Sequence, residues 1–455
     1  MIANPKIFKA YDIRGEWNKD WDEEFVYKIG RAIAKELKVK IVAVGRDMRV
    51  SSPILFENLS KGLIDEGVEV RDLGLCGTEL TYFVSAFVED IDAAIIITAS
   101  HNPGKDNGMK ISLKGAKALG LKTGLDKIRD LALTDLGKVN EEKGEMKKVN
   151  YWNFYREHVF KLANLSGLKK MKIVVDSGNG MGSFMFDKVL SNLDFDVVKM
   201  YWDLDGNFPN HVADPFIESN TDDLKKKFIE ENADIGIALD GDSDRVFFID
   251  DKGRYIPGYY FAALMTDFIL KQCGDASIET IAHDPRYFWA TVKAIENNGA
   301  KAARTNVGHT LIKAKMRECN SIFSAECSGH IFFRENSFAE SSMLAILLML
   351  KILNEKGKLS EIMDYYFENY PISGEINFIV EDSKEVVRKI EDQYNSGEID
   401  YLDGISVTFD DWRFNVRTSN TQPLLRLNLE AKNMGLVQEK VDELKALIGG
   451  KLADH

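Results

Sequence analysis

Ser100 stands in Thr98-Ala99-Ser100-His101-Asn102-Pro103, directly after the apolar run Ala93-Ala94-Ile95-Ile96-Ile97. Residues Ala93 to Ala99 read as a buried strand, and the polar cluster reads as the loop leaving its carboxyl end. Ligands of open α/β sheets sit outside the carboxyl ends of the strands. A serine there is rigidly held and can attack a group or carry one. A second cluster, Asp240-Gly241-Asp242-Ser243-Asp244-Arg245, lies between the apolar runs Ile237-Ala238-Leu239 and Val246-Phe247-Phe248-Ile249. Three carboxylates at alternate positions suit a hard divalent cation, and open coordination positions suit Mg²⁺ shared with a phosphate. Arg245 adds a fixed charge whose fork matches phosphate oxygens. A solvated acidic turn is the plain alternative. An EF-hand fails at its sixth position, where Arg245 replaces Gly, and at its twelfth, where Asp251 replaces Glu.

Four more loops carry usable chemistry. In Tyr11-Asp12-Ile13-Arg14-Gly15, a guanidinium and a bare backbone can approach an anion together. Thr305-Asn306-Val307-Gly308-His309-Thr310 offers His309, which also fits a helix cap or a core position. Glu326-Cys327-Ser328-Gly329-His330 sets a carboxylate, a hydroxyl and an imidazole at a spacing that suits paired sugar hydroxyls. Arg417-Thr418-Ser419-Asn420-Thr421-Gln422-Pro423 is rich in donors and suits a phosphate group. Each loop by itself is also compatible with a polar turn bonded internally.

These loops need a scaffold. Three segments repeat strand, polar turn, helix, strand. The first runs from Ile41-Val42-Ala43-Val44 through a helix over Pro53 to Gly67 to a strand near Val68-Glu69-Val70. The second runs from Lys172-Ile173-Val174-Val175 through a helix ending at Leu193 to Asp196-Val197-Val198. The third runs from Thr280-Ile281-Ala282 through a helix ending at Asn298 to Ala302-Ala303-Arg304. This is the βαβ pattern of a parallel sheet. The tail differs. Strands are expected at Gly374–Val380, Gly404–Phe409 and Leu424–Leu429, with helices over Val386–Tyr394 and Gly435–Ile448. It reads as a small α+β domain. The fold class is therefore α/β: three similar mixed-sheet domains over 1–150, 151–255 and 256–370, and a smaller α+β domain over 371–455.

Composition sets bounds. The chain has 455 residues, 45% hydrophobic and 29% charged, which is ordinary for a folded soluble protein. Its net charge of −13 repels nucleic acid and anionic lipid at long range, so neither is expected as a partner. A local basic cleft can still take a phosphorylated ligand, because salt screens beyond about 8–10 Å. The four cysteines, Cys76, Cys273, Cys319 and Cys327, form no CxxC pair, which argues against a zinc site and fits a reducing cytoplasm. The N-terminus lacks a signal-peptide core, and the apolar stretch Met343 to Leu350 is too short to span a bilayer.

Taken in order, Tyr11-Asp12-Ile13-Arg14-Gly15, the Ser100 motif, Asn107-Gly108-Met109-Lys110, the Asp240 motif, Val307-Gly308-His309, Glu326-Cys327-Ser328-Gly329-His330 and Arg417-Thr418-Ser419-Asn420-Thr421 resemble the α-D-phosphohexomutases. The resemblance runs from residue 11 to about 426 and is greatest to the phosphomannomutase/phosphoglucomutase branch. It implies four domains around a central cleft. It implies an isomerase that interconverts hexose 1-phosphate and hexose 6-phosphate, of mannose or glucose, through a phosphoserine and a hexose 1,6-bisphosphate that also acts as activator. Ser100 would carry the phosphoryl group. Asp240, Asp242 and Asp244, with the phosphate on Ser100, would hold one Mg²⁺. Glu326 and Ser328 would read the sugar's 3- and 4-hydroxyls. Arg417, Ser419, Asn420 and Thr421 would hold the non-reacting phosphate. Arg14, Lys110, His309 and His330 match positions proposed in the family for the general acid or base. Arg245 would offset charge on the transferring group, and Tyr11, Arg286 and Gly308 fall among the substrate-binding positions. The partner would be a phosphosugar and the state a monomer or weak homodimer.

Departures are visible. Gln422 stands where the family usually has Glu, and Cys327 where it usually has Met or Gln. Asn420 leans away from phosphoglucosamine mutases, which usually carry Gly there. Two rivals are a phosphoglucosamine mutase and a non-catalytic phosphosugar-binding protein. A serine hydrolase using Ser100 and His101 is disfavoured, because neighbours at a strand exit should point different ways and no G-x-S-x-G elbow is present.

Overall fold

The computed structural model describes residues 1–418 and 424–453. The chain forms two compact units, Met1–Tyr255 with Gly329–Glu355, and Ile256–Ser328 with Lys356–His455.

The first unit holds two sheets. In the first sheet, β1 (Ile13–Glu16), β5 (Asp106–Leu113), β4 (Ala93–Ile97), β2 (Ile41–Arg46) and β3 (Glu69–Leu75) lie side by side in that order. Strands β2, β3 and β4 run parallel, and β5 is antiparallel to β4. Helices α1 (Glu23–Leu37), α2 (Ser52–Asp65) and α3 (Thr78–Phe87) connect or cover them. Asp22 starts α1 by accepting the Phe25 amide at 3.0 Å. Every residue of β4 is buried, which is why it reads as an unbroken apolar run. The register then delivers side chains to its carboxyl end: Lys110 on β5 pairs with Ile96, and Arg14 on β1 pairs with Gly108.

The second sheet contains β9 (Val246–Ile249), β8 (Ile235–Leu239), β6 (Lys172–Asp176) and β7 (Asp196–Met200), adjacent in that order, with α4 (Gly182–Val189) between β6 and β7. Strands β8 and β9 are antiparallel, with Leu239 opposite Val246, so Asp240–Arg245 is the loop of that hairpin. The first turn of α3 ties the unit together. Glu79 accepts hydrogen bonds from the Ser342 amide at 2.7 Å, the Ser342 hydroxyl at 2.5 Å, and the Ser341 and Tyr155 hydroxyls. It thereby satisfies the donors that open the helix Ser342–Lys356.

In the second unit, β10 (Thr280–His283) runs parallel to both β11 (Lys301–Arg304) and β12 (Phe323–Ala325). Helices α5 (Trp289–Asn297) and α6 (His309–Glu318) flank β11 in sequence. The C-terminal sheet is antiparallel. Its inner strands are β14 (Ile405–Thr408), β15 (Trp412–Thr418), β16 (Leu425–Ala431) and β13 (Ile376–Ile379), joined by α7 (Ser383–Gln393) and α8 (Met434–Ile448). One face packs Trp412, Phe414 and Val416 against Leu425, Leu427 and Leu429.

Several boundaries differ from the sequence expectations. The strand expected over Ala93–Ala99 stops at Ile97, because Thr98 already bonds into the Ser100 turn. The helix expected to Leu193 ends at Val189. Strand β15 was not anticipated. Its alternate residues Arg413, Asn415 and Arg417 are polar, yet all are buried, so the segment lacks an apolar run.

His283 closes β10 and is buried, donating through Nδ1 to the Asp284 carbonyl at 3.1 Å. Burial pulls its pKa down to about 4 from 6.5, and the Arg304 and Arg413 charges add to the effect. The unfolded chain therefore takes up this proton first, and stability falls as pH drops from 6.5 toward 4. The loss attributable to this residue is about 3 kcal/mol when complete. Urea midpoints at pH 7 and pH 4.5 should lie closer together for His283→Gln than for the natural chain; equal separations would refute the assignment.

Candidate active site

Two loops of the first unit meet at Ser100. Its Oγ donates to Asp240 Oδ2 at 2.8 Å, and the residue is 1% exposed. The backbone of Ser100 is left-handed, with φ of 51°, held by its amide bonding to Thr98 Oγ1 at 2.9 Å. This turn breaks strand alternation. His101 Nδ1 consequently lies 3.3 Å from Ser100 Oγ, so the expectation that these neighbours point apart is overturned. The hydroxyl proton is nonetheless directed at a carboxylate. Burial and the nearby charges of Arg245 and Arg14 hold the His101 imidazole well below its usual pKa.

The Asp240 loop presents three carboxylates inward. The Asp244 and Arg245 amides bond to Asp240 Oδ1 at 3.0 and 3.1 Å, leaving Oδ2 for Ser100. Asp242 Oδ2 accepts from Thr78 Oγ1 at 2.6 Å and from Lys110 Nζ at 2.7 Å. Lys110 Nζ also reaches Asp244 Oδ2 at 2.6 Å. Asp244 Oδ1 lies 3.3 Å from His330 Nε2, and Arg245 Nε lies 3.3 Å from the same nitrogen. Arg14 donates to Asn102 Oδ1 at 2.6 Å and to Asp12 at 2.6 Å.

Charge does not balance. Burial, then the charges of Asp242 and Asp244, push the Asp240 carboxyl well above its usual pKa. Burial opposes charge on Lys110 too, but Asp242, Asp244 and Asp240 outweigh it and keep the ammonium protonated. Lys110 and His330 likewise hold Asp244 ionised against its burial. The donor set fits a divalent cation on structural grounds. One oxygen from each aspartate can lie within 4.8 Å of the others, and Asp242 Oδ1 is buried with no hydrogen-bond partner among the described residues. A buried orphan oxygen beside two further carboxylates is the chemistry of a hard-cation ligand.

In the second unit, Arg286 is 2% exposed and forks onto Asp284 at 3.0 and 2.6 Å. The Nη2 that bonds to Asp284 also lies 3.6 Å from Glu326, and Nη1 lies 3.6 Å from Glu375. Gly308, at φ of 120°, donates its amide to Glu326 Oε1 at 3.2 Å, and His309 follows as the first residue of α6. Asp284 Oδ2 accepts the Cys327 amide at 3.1 Å, which fixes the loop carrying Glu326 and half-buried Ser328. Arg417, next to last in β15, is almost fully buried. Ser419, Asn420 and Thr421 lie outside the described residues. Tyr11 is half-buried in the first unit.

The structure thus brings Ser100, Asp240, Asp242, Asp244, Lys110, Arg245 and His330 together, with Arg14 one residue away through Asn102. It groups Arg286, Gly308 and Glu326 separately in the second unit. Sequence reasoning missed Thr78. The cue was Gly77-Thr78 just past the carboxyl end of β3, the same strand-exit position that flagged Ser100.

Comparisons with known proteins follow the chain end to end. Four family models match: phosphoglucomutase/phosphomannomutase α/β/α domain I over residues 5–135, domain II over 151–253, domain III over 257–370, and the C-terminal domain over 375–447. The chain is 40% identical over 448 residues to "phosphohexose mutases" of Xanthomonas campestris pv. campestris, covering 97% of this chain and 99% of the relative. It is 37% identical over 452 residues to a phosphomannomutase of Escherichia coli K12, covering 97% and 98%. Among solved structures, a phosphoglucomutase/phosphomannomutase family protein of Burkholderia thailandensis superposes with a TM-score of 0.87 at 28% identity, over 99% of each chain. An Aspergillus fumigatus N-acetylphosphoglucosamine mutase, solved with GlcNAc-6P and magnesium, shares the fold at TM-score 0.64 and 15% identity, over 97% and 95%.

Gly241 marks how tightly the two loops fit. A Cβ there would lie 2.3 Å from the Ser100 carbonyl oxygen, and at Gly77 it would lie 2.8 Å from the Asp242 carbonyl. Gly241→Ala should cost about 1–3 kcal/mol by forcing the loops apart. Gly274→Ala, whose Cβ would meet nothing within 4 Å, should cost far less. Urea denaturation of the two variants decides; equal losses would show that the loops have slack.

Proposed function

This chain belongs to the phosphoglucomutase/phosphomannomutase family and is a hexose-phosphate mutase, and from that premise we propose how its residues move the phosphoryl group. The reading rests chiefly on one contact, Ser100 Oγ at 2.8 Å from Asp240 inside a buried carboxylate trio. Ser100 carries a phosphoryl group in the resting enzyme. The Ser100 O–P bond breaks as a bond forms to a hydroxyl oxygen of the bound hexose monophosphate, giving a hexose 1,6-bisphosphate. That intermediate turns end over end and returns its other phosphoryl group to Ser100.

Phosphoryl transfer asks for positioning and charge stabilisation more than covalent help. Asp240, Asp242 and Asp244 would hold Mg²⁺, which when bound offsets negative charge on the transferring oxygens. Arg245 and Arg14 supply fixed positive charge from the protein. Lys110 is kept protonated by its two aspartate partners, so it serves as a fixed cation. His330, touching both Asp244 and Arg245, would exchange a proton with the sugar hydroxyl. In the second unit, Glu326 and Ser328 would read sugar hydroxyls. Arg417, Ser419, Asn420 and Thr421 would hold the non-reacting phosphate, and Tyr11, Arg286, Gly308 and His309 are the further substrate-binding positions that the family resemblance implies. The substrate reading is mannose and glucose phosphates, in a cytoplasmic monomer or weak homodimer of four domains over 1–150, 151–255, 256–370 and 371–455. Among the described residues no helix is long and apolar enough to cross a membrane.

With glucose or mannose 1-phosphate, Mg²⁺ and a trace of the 1,6-bisphosphate, 6-phosphate should accumulate. Ser100→Ala should lower kcat by at least about 10³-fold, and intact mass should show about 80 Da on Ser100 that this variant lacks. A variant turning over at the natural rate would end the phosphoserine role. Asp242→Asn should raise the half-saturating Mg²⁺ by about tenfold or more, read from the metal dependence of kcat; an unchanged titration would exclude Asp242 as a ligand.

A further inference from the structure

Arg49 belongs to none of the loops discussed so far. It follows β2 in the turn Asp47-Met48-Arg49, is 1% exposed, and points its whole guanidinium at the Ser100 loop. One terminal nitrogen donates to the carbonyls of Ser100 at 2.7 Å and Asn102 at 2.6 Å. The other donates to Pro103 at 2.7 Å and Asp106 at 2.9 Å. The guanidinium is itself fixed. Its Nε lies 3.2 Å from Asp47 Oδ2, and Asp47 Oδ1 accepts the Arg49 amide at 3.0 Å and the Ser52 hydroxyl at 2.5 Å. Its flat side rests 5.1 Å from the Phe208 ring centre. The Asp47 amide in turn bonds to the Ile97 carbonyl at 3.0 Å, where β4 ends.

We infer that Arg49 is a positioning residue for phosphoryl transfer: by gripping the carbonyls of Ser100, Asn102, Pro103 and Asp106 it holds Ser100 Oγ at Asp240. The Ser100 backbone sits in a conformation that L side chains disfavour, so something must over-determine it. The guanidinium does so from one side, and Gly241 packs against the same Ser100 carbonyl, where a Cβ would come within 2.3 Å. Lysine keeps the charge but offers one nitrogen for four carbonyls spread over seven residues, so it cannot reproduce the fork. A shift of the nucleophile by about 1 Å is worth about 10²-fold in rate.

The inference rests on the phosphoserine reading, and the experiment separates the two. The full chain is assayed as the natural protein and as Arg49→Lys, Ser100→Ala and Arg46→Lys. Arg46 is the last residue of β2, just before the Arg49 turn, and its guanidinium pairs with Asp72 at 2.8 Å. Arg49→Lys should lose about 100-fold in kcat per folded molecule, with KM within about threefold and circular dichroism unchanged, while Arg46→Lys stays near the natural rate. Phosphorylation of dephosphorylated enzyme by hexose 1,6-bisphosphate, followed by intact mass, should slow in parallel. A natural kcat in Arg49→Lys, or a loss that appears only in KM or only in proportion to unfolded protein, overturns the positioning role while Ser100→Ala remains inactive. Turnover by Ser100→Ala would instead fault the underlying reading. If Arg49→Lys does not fold, Asp47→Asn serves in its place. It frees the guanidinium to swing and should lower kcat by about tenfold; an unaltered kcat there overturns the inference equally.

Discussion

Three aspartates face inward with one ammonium among them, and the remaining architecture answers that imbalance. An isolated buried carboxylate is costly enough that it neutralises or finds a counter-charge. Here Lys110 satisfies Asp242 and Asp244 together, while Asp240 shares its free oxygen with Ser100. The deficit of positive charge therefore falls at the Asp240 oxygen beside Ser100. A divalent cation would relieve it at the place where a phosphate on Ser100 would add further negative charge. The same imbalance fits the positions of the two nearby basic side chains: His330 Nε2 lies 3.3 Å from Asp244 Oδ1 and Arg245 Nε 3.9 Å from Asp240 Oδ2.

Such a site cannot be built from regular structure alone. Ser100 and Ser243 both have positive φ, at 51° and 60°, and each costs on the order of 1 kcal/mol or more. The surrounding contacts hold them there. Thr98 caps the Ser100 amide, Ser342 donates to the Ser243 carbonyl at 2.8 Å, and the α3 amide of Thr78 bonds to the Asp242 carbonyl at 3.0 Å. Helix α3 thus carries two duties in adjacent residues. Thr78 orients a candidate metal ligand, and Glu79 anchors the helix that supplies Ser342. A substitution in that turn would disturb both stability and chemistry.

What could be read directly from residue order was whatever the chain writes locally. The apolar run of β4, the alternating aspartates and the βα turns all declare themselves within a few residues, because strand burial and turn chemistry are short-range constraints. Long-range pairings were not legible. Nothing near Thr78 says that it will meet a carboxylate 164 positions away, and nothing near Arg49 names the carbonyls beyond β4. Strand β15 was hidden for a different reason. Arg413 is buried because it bonds the Arg286 carbonyl at 2.7 Å and pairs with Glu430 at 3.1 Å, so polarity there signals a partner and not solvent. The mistaken orientation of His101 has a local cause, since one left-handed residue reverses the alternation that a strand would impose.

The exterior and the site pull in opposite directions, and that opposition favours discrimination. The chain carries 72 acidic and 59 basic side chains, so a phosphorylated sugar approaching from solvent gains nothing from the average surface. The cations that could recognise it stand in loops or near strand ends and are largely withdrawn from water: Arg245 and Arg14 in the first unit, Arg286 and Arg417 in the second. Withdrawn charges act over a few ångströms and are screened less by salt. An anion that does not fit the loops meets only the repelling exterior. Two of these guanidinium groups are already held in place, Arg286 by Asp284 and Arg14 by Asp12. Those carboxylates therefore have a second effect beyond orientation. They neutralise and order each arginine, so any incoming anion would have to compete with a carboxylate for it.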